Sequence, residues 1–126
     1  MILQIGGVTA QQQAGGEMLT RELGKCYAGF SGCRDEVIAT GAWGCGAFGG
    51  DKEVKFAIQV AVASQAGLKG LHYHTSDSSL RDTLQLAVNY WNDKQYRVKD
   101  IICELLSFHT STTSRSFLDY LFDTVQ

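Results

Sequence analysis

Short apolar runs alternate along this chain with longer segments of helical period. Met1 to Gly7 is apolar and closes on a glycine pair, which predicts a buried strand. Val8 to Gly16 is polar and glutamine-rich, and predicts a loop. From Glu17 to Gly29, Met18, Leu19, Leu23, Cys26 and Tyr27 fall on one side and Arg21, Glu22 and Lys25 on the other. That spacing predicts an amphipathic helix stopped by Gly29. Ser31 to Asp35 reads as a polar turn, and Glu36 to Thr40 as a second strand. Lys52 to Ala66 is apolar on most sides, which predicts a largely buried helix with Asp51 as its N-cap and Gly67 as its end. Leu68 to Thr75 predicts a third strand, and Ser76-Asp-Ser-Ser79 a helix start. Further helices are expected over 80–93, 98–108 and 115–124. Strands alternating with helices imply an α/β fold with a short, mostly parallel sheet and a helical C-terminal third.

Three strands make a thin parallel core, because such sheets need both faces covered. The expectation is an unpaired sheet edge, and with it pairing with a complementary chain, self-association, or membership of a larger domain. The 126 residues fit one domain, and 44% hydrophobic content suffices for a core. A net charge of −2 without a basic run gives no footing for direct DNA binding. No apolar stretch is long enough to span a bilayer, and the N-terminus has no secretory pattern. Cys26, Cys33, Cys45 and Cys103 form no C-x-x-C pair, so free thiols in a reducing compartment are expected rather than a zinc site.

The most informative stretch lies between the second strand and its helix. Glycines stand at 41, 44, 46, 49 and 50. Glycine lets backbone approach a ligand closely, and the helix that follows offers unpaired N–H groups at its positive end. The layout predicts a phosphate-containing ligand held by main-chain amides. Gly44-Cys-Gly-Ala-Phe-Gly49 also fits G-x-G-x-x-G, the dinucleotide fingerprint. That reading needs an acid about 20 residues on, at the end of the next strand. The nearest candidate, Asp77, lies beyond that distance, and Trp43 and Phe48 are unusual in a tight phosphate turn. A purely structural glycine turn is the blander alternative.

Thr40-Gly-Ala-Trp-Gly-Cys-Gly-Ala-Phe-Gly-Gly-Asp51 resembles the signature loop of the poly(ADP-ribose) glycohydrolase family, T-G-N-W-G-C-G-A-F-G-G-D, with Ala42 as the single difference. Glu17 to Phe30 resembles the family helix E-K-x-x-R-E-L-x-K-A-Y-x-G-F, Met1 to Gly7 its I-V-A-I-D-A strand, and Leu71 to Leu80 its Y-F-T-F-G-D-S-x-L segment. The likeness weakens after about residue 95. It implies a macrodomain-like three-layer fold, with residues 1–126 resembling the C-terminal half of the catalytic domain as a single domain. It also implies binding of ADP-ribose or poly(ADP-ribose), with Gly44, Cys45, Gly46, Ala47, Phe48 and Gly49 at the diphosphate. The family reaction is hydrolysis of ribose–ribose O-glycosidic bonds without a cofactor. An intracellular location, nuclear or cytoplasmic, is implied as well.

The departures decide the activity expected. Glycosidic cleavage needs a carboxylic acid to protonate the leaving oxygen and activate water. The family carries it in a G-G-G…Q-E-E segment that this chain lacks, so no catalytic residue is assigned and the isolated chain is expected to be inactive. Asp35-Glu36, the only adjacent acids, read as a solvated turn. Ala42 loses a ligand-bonding amide, and His74-Thr75 replaces a T-F step whose aromatic resembles an adenine-side contact. His72 and His74 share a strand face but have no third ligand, and His109 has no evident partner; no metal is assigned. Cys45, near a helix N-terminus, lacks an identifiable histidine to activate it, and the resemblance implies a packing role for it rather than that of a nucleophile. The aromatics from Tyr90 to Phe122 read as helix packing. Three functions stay open: a part of an active glycohydrolase, a non-catalytic ADP-ribose reader, and an interaction protein with a degenerate site.

Overall fold

The computed structural model describes residues 16–41, 51–111 and 116–124. Within them the order is α1 (Gly16–Phe30), β1 (Val37–Thr40), α2 (Lys52–Ala66), β2 (Gly70–Tyr73), α3 (Ser78–Asp93), α4 (Val98–Thr110) and α5 (Phe117–Thr124). The two strands pair in parallel, Val37 opposite Gly70 and Thr40 opposite Tyr73. A parallel pair requires a crossover, and α2 supplies it. The α/β order read from the sequence therefore holds, with strands shorter than expected. The predicted strand over residues 1–7 lies outside the described residues.

α2 is the hub of the packing: α1, α4, α5 and β2 all lie against it. Its small residues make this feasible. Ala57 and Ala61 are fully buried, so neighbouring helices approach the α2 backbone closely, and Val54, Phe56, Ile58 and Val62 fill the remaining space. Asp51 caps the helix, its Oδ1 accepting from Val54 N at 2.9 Å. Gly67 ends it in the left-handed region at φ 75°, with Leu68 N donating back to Ala63 O at 3.0 Å. Both ends match the sequence expectation.

Two corrections concern α1. The helix runs through Gly29 to Phe30, because the buried Phe30 ring anchors a further turn and Ser31 N still donates to Tyr27 O at 2.8 Å. Its buried face is Leu19, Glu22, Cys26 and Phe30, whereas Tyr27 is 48% exposed. Glu22 sits inside because Lys55 of α2 meets it at 2.9 Å, each residue only 4% exposed.

The C-terminal helices cover the hub as expected. Phe108 of α4 packs against Phe117 and Tyr120 of α5, with ring centres 5.4 Å apart in each pair. α5 begins at Phe117 rather than near 115, with Ser116 bonding Asp119 N. On α3, Leu84, Ala87 and Trp91 turn inward at helical spacing, and Trp91 stacks on Phe56. Among the described residues no helix is long and apolar enough to cross a membrane.

Candidate functional site

Parallel strands send all their carboxyl ends to one edge of the sheet, and the helix that follows each strand starts there. In this chain that edge gathers Thr40 at the end of β1 and Gly41 after it, His74 and Thr75 after β2, and the N-termini of α2 and α3. His74 N donates to Thr40 O at 2.8 Å, so the two chain exits run side by side. A Cβ at Gly41 would stand 3.3 Å from His74 O, which explains a glycine at this crossing. Asp77 caps α3, its Oδ1 accepting from Leu80 N at 3.0 Å, while Asp77 N donates to Thr75 Oγ1 at 3.2 Å.

The electrostatics of the edge favour anions through two helix N-termini, each the positive end of a helix of 15 or 16 residues. The caps Asp51 and Asp77 offset part of that field. Glu53, in the first turn of α2, is turned away from solvent and accepts from Leu118 N at 2.8 Å. It thereby caps α5 from another element. Burial pushes its carboxyl up from the ordinary 4.5; the Leu118 N–H pulls it down, and the Asp51 charge raises it further.

Gly44, Cys45, Gly46, Ala47, Phe48 and Gly49, the residues expected to bind a diphosphate, lie outside the described residues, as does Ala42. The described chain fixes their two anchors, Gly41 and Asp51. The first is also held by Gln59 of α2, whose Nε2 donates to Gly41 O at 2.9 Å. Gln59 was not among the residues singled out from the sequence. The signal for it is an amide inside an otherwise apolar helical run, which must find a polar partner.

Other expected groups take clear positions. His72 and His74 are exposed, and among the described residues no group of three or more His, Cys, Asp or Glu side chains could hold a metal ion. Asp35 and Glu36 precede β1 and so lie at the opposite, amino edge of the sheet, exposed, with Asp35 in a left-handed turn at φ 66°. Cys26, Cys33 and Cys103 are free thiols. Burial first, and the Glu22 charge second, push the Cys26 thiol up to about 12, which leaves it inert as a nucleophile. A cavity of about 200 Å³ opens beside the end of β2, lined among others by Phe56, Tyr73, Thr75 and Arg81.

Comparison with known proteins bears on this edge directly. The sequence model of the poly(ADP-ribose) glycohydrolase family, macro domain fold, matches residues 4–83. This range takes in α1, both strands, α2 and the start of α3. "Probable poly(ADP-ribose) glycohydrolase 2" of Arabidopsis thaliana is 32% identical over 78 residues, 62% of this chain and 15% of that protein. "Poly(ADP-ribose) glycohydrolase 1" of the same plant is 32% identical over 91 residues, 69% of this chain and 17% of that protein. "Poly(ADP-ribose) glycohydrolase 1" of Caenorhabditis elegans is 44% identical over 59 residues, 44% of this chain and 7% of that protein. The aligned part thus spans only a small share of each of these relatives.

Proposed function

Because this chain belongs to the poly(ADP-ribose) glycohydrolase family, in the part that carries the C-terminal section of the catalytic macro domain, we propose that it binds ADP-ribose. The ligand's diphosphate is taken by the backbone of Gly44 to Gly49, between the Gly41 and Asp51 anchors. The observation that carries this reading is the convergence of both strand exits and both helix N-termini on one edge of the sheet. Such an edge is where α/β sheets hold phosphate-bearing ligands. The family reaction, hydrolysis of ribose–ribose bonds in poly(ADP-ribose), needs a carboxylic acid, and among the described residues the carboxylates of this edge already hold structure. The acids described there, Asp51 and Asp77, are both engaged as helix caps, and Glu53 holds α5. The chain therefore supplies the ligand-binding part of a hydrolytic site whose acid comes from another polypeptide segment. Calorimetric titration with ADP-ribose, with NAD as control, tests the binding. ADP-ribose is expected to bind and NAD not to; a folded chain that ignores both sinks the reading.

A second reading, a reader that binds without hydrolysis, draws on Thr75. This residue stands where the family motif has an aromatic, and it lines the 200 Å³ cavity beside β2. Weakened stacking at that wall favours a degenerate site. Addition of the catalytic segment of a relative separates the two readings, since only the first predicts recovered hydrolysis.

A further inference from the structure

One buried carboxamide inside α2 has a role that the diphosphate reading leaves unused. Gln59 is 1% exposed, on a helix whose other buried residues are apolar apart from Lys55. An amide taken out of water is costly unless it is hydrogen-bonded. Its partner is Gly41, 18 positions away in sequence, whose carbonyl accepts from Nε2 at 2.9 Å. A carbonyl can only accept, so this bond fixes the amide's orientation, with the NH₂ toward Gly41 and Oε1 away. Oε1 has no hydrogen-bond partner among the described residues, and neither has the buried Thr40 Oγ1 on the adjoining strand end. The preceding peptide, Thr40–Gly41, is tied to β2 through Thr40 O, which accepts from His74 N. Two successive carbonyls where the chain leaves β1 are thus held, Thr40 O by the sheet and Gly41 O by the helix.

We infer that Gln59 is a positioning residue for the ADP-ribose site. It fixes the Gly41 carbonyl where the chain leaves β1, without touching the ligand. The inference rests on the reading that ADP-ribose binds at the carboxyl edge. Leucine at 59 has a similar volume but leaves Gly41 O without its donor.

The experiment titrates ADP-ribose into the parent chain, Gln59→Leu, and Ala63→Gly, alongside thermal unfolding of each. Ala63 lies one turn further along α2, and glycine there loosens the helix away from Gly41. Gln59→Leu is expected to bind about tenfold more weakly, the equivalent of one lost hydrogen bond. Ala63→Gly is expected to bind like the parent despite its lower melting temperature. Gln59→Glu serves as a second variant: its neutral acid can donate to Gly41 O and its carboxylate cannot. Its affinity relative to the parent, taken at each pH so that His74 and other titrating groups cancel, should rise as pH falls. A parent that does not bind refutes the functional reading and this inference with it. A parent that binds, with Gln59→Leu equally tight, overturns the positioning role alone. So does a loss of affinity that tracks melting temperature in Ala63→Gly and Gln59→Leu alike.

Discussion

At the residue scale, the behaviour of Glu53 shows how position outweighs composition. A glutamate in the first turn of a helix is ordinarily a surface group favoured by the helix field. Here it is drawn inward to bond Leu118 N, and the loss of hydration raises its carboxyl above 4.5 despite that bond. The folded chain thus holds this proton more tightly than the unfolded chain does. Its contribution to stability is fully present below about pH 4.5 and declines as pH rises through the folded value. Glutamine resembles the protonated form and keeps an oxygen for Leu118 N. Glu53→Gln is therefore expected to match the parent in denaturant unfolding near pH 4 and to exceed it at pH 7. A difference that stays constant across this range would show that Glu53 is not the group concerned.

At the element scale, α1 is held to α2 by a device the apolar pattern conceals. Glu22 lies on the Leu19–Cys26–Phe30 stripe, three positions after Leu19 and four before Cys26, so geometry alone turns it inward. Lys55 likewise sits in the apolar run of α2. Each costs several kcal/mol to desolvate alone, and their contact at 2.9 Å offsets that cost. Removing one partner, as in Lys55→Met, is expected to destabilise the chain by about 3–5 kcal/mol because the buried Glu22 carboxylate loses its opposite charge. That is a large share of the roughly 5–15 kcal/mol typical of a domain. The double variant Glu22→Leu/Lys55→Met is expected to recover most of it, and chemical denaturation of the three variants measures the cycle. Additive losses would mean that the two charges do not depend on each other. This pair marks the limit of what could be read from sequence. The element order, both caps of α2, the Asp77 start of α3 and the packing role of Phe108, Phe117 and Tyr120 all follow from local periodicity and capping chemistry. The ion pair and the Gln59–Gly41 bond join positions 33 and 18 apart, and no local pattern encodes such a distance. The periodicity read from the sequence puts Glu22 on the polar side of α1 with Arg21 and Lys25, whereas the structure turns it inward onto the Leu19–Cys26–Phe30 stripe, where Lys55 meets it.

At the scale of the whole molecule, the described residues hold a sheet of two four-residue strands, the least a parallel arrangement can be. The bonds that run to β2 use the Glu36 and Thr40 carbonyls, so Val37 and Ala39 turn their N–H and C=O groups to the opposite side. Among the described residues no strand lies there, and the Val37 side chain is 49% exposed. Parallel sheets are stable when covered, and an open apolar edge recruits a further strand. The purified chain is expected to associate with itself in a concentration-dependent way, which light scattering across a dilution series would follow. Lysine at an edge position keeps strand geometry while discouraging another backbone from docking. Val37→Lys is thus expected to shift the population toward monomer with an unchanged far-ultraviolet spectrum. A parent that scatters as a monomer at every concentration would mean that the β1 edge is already covered.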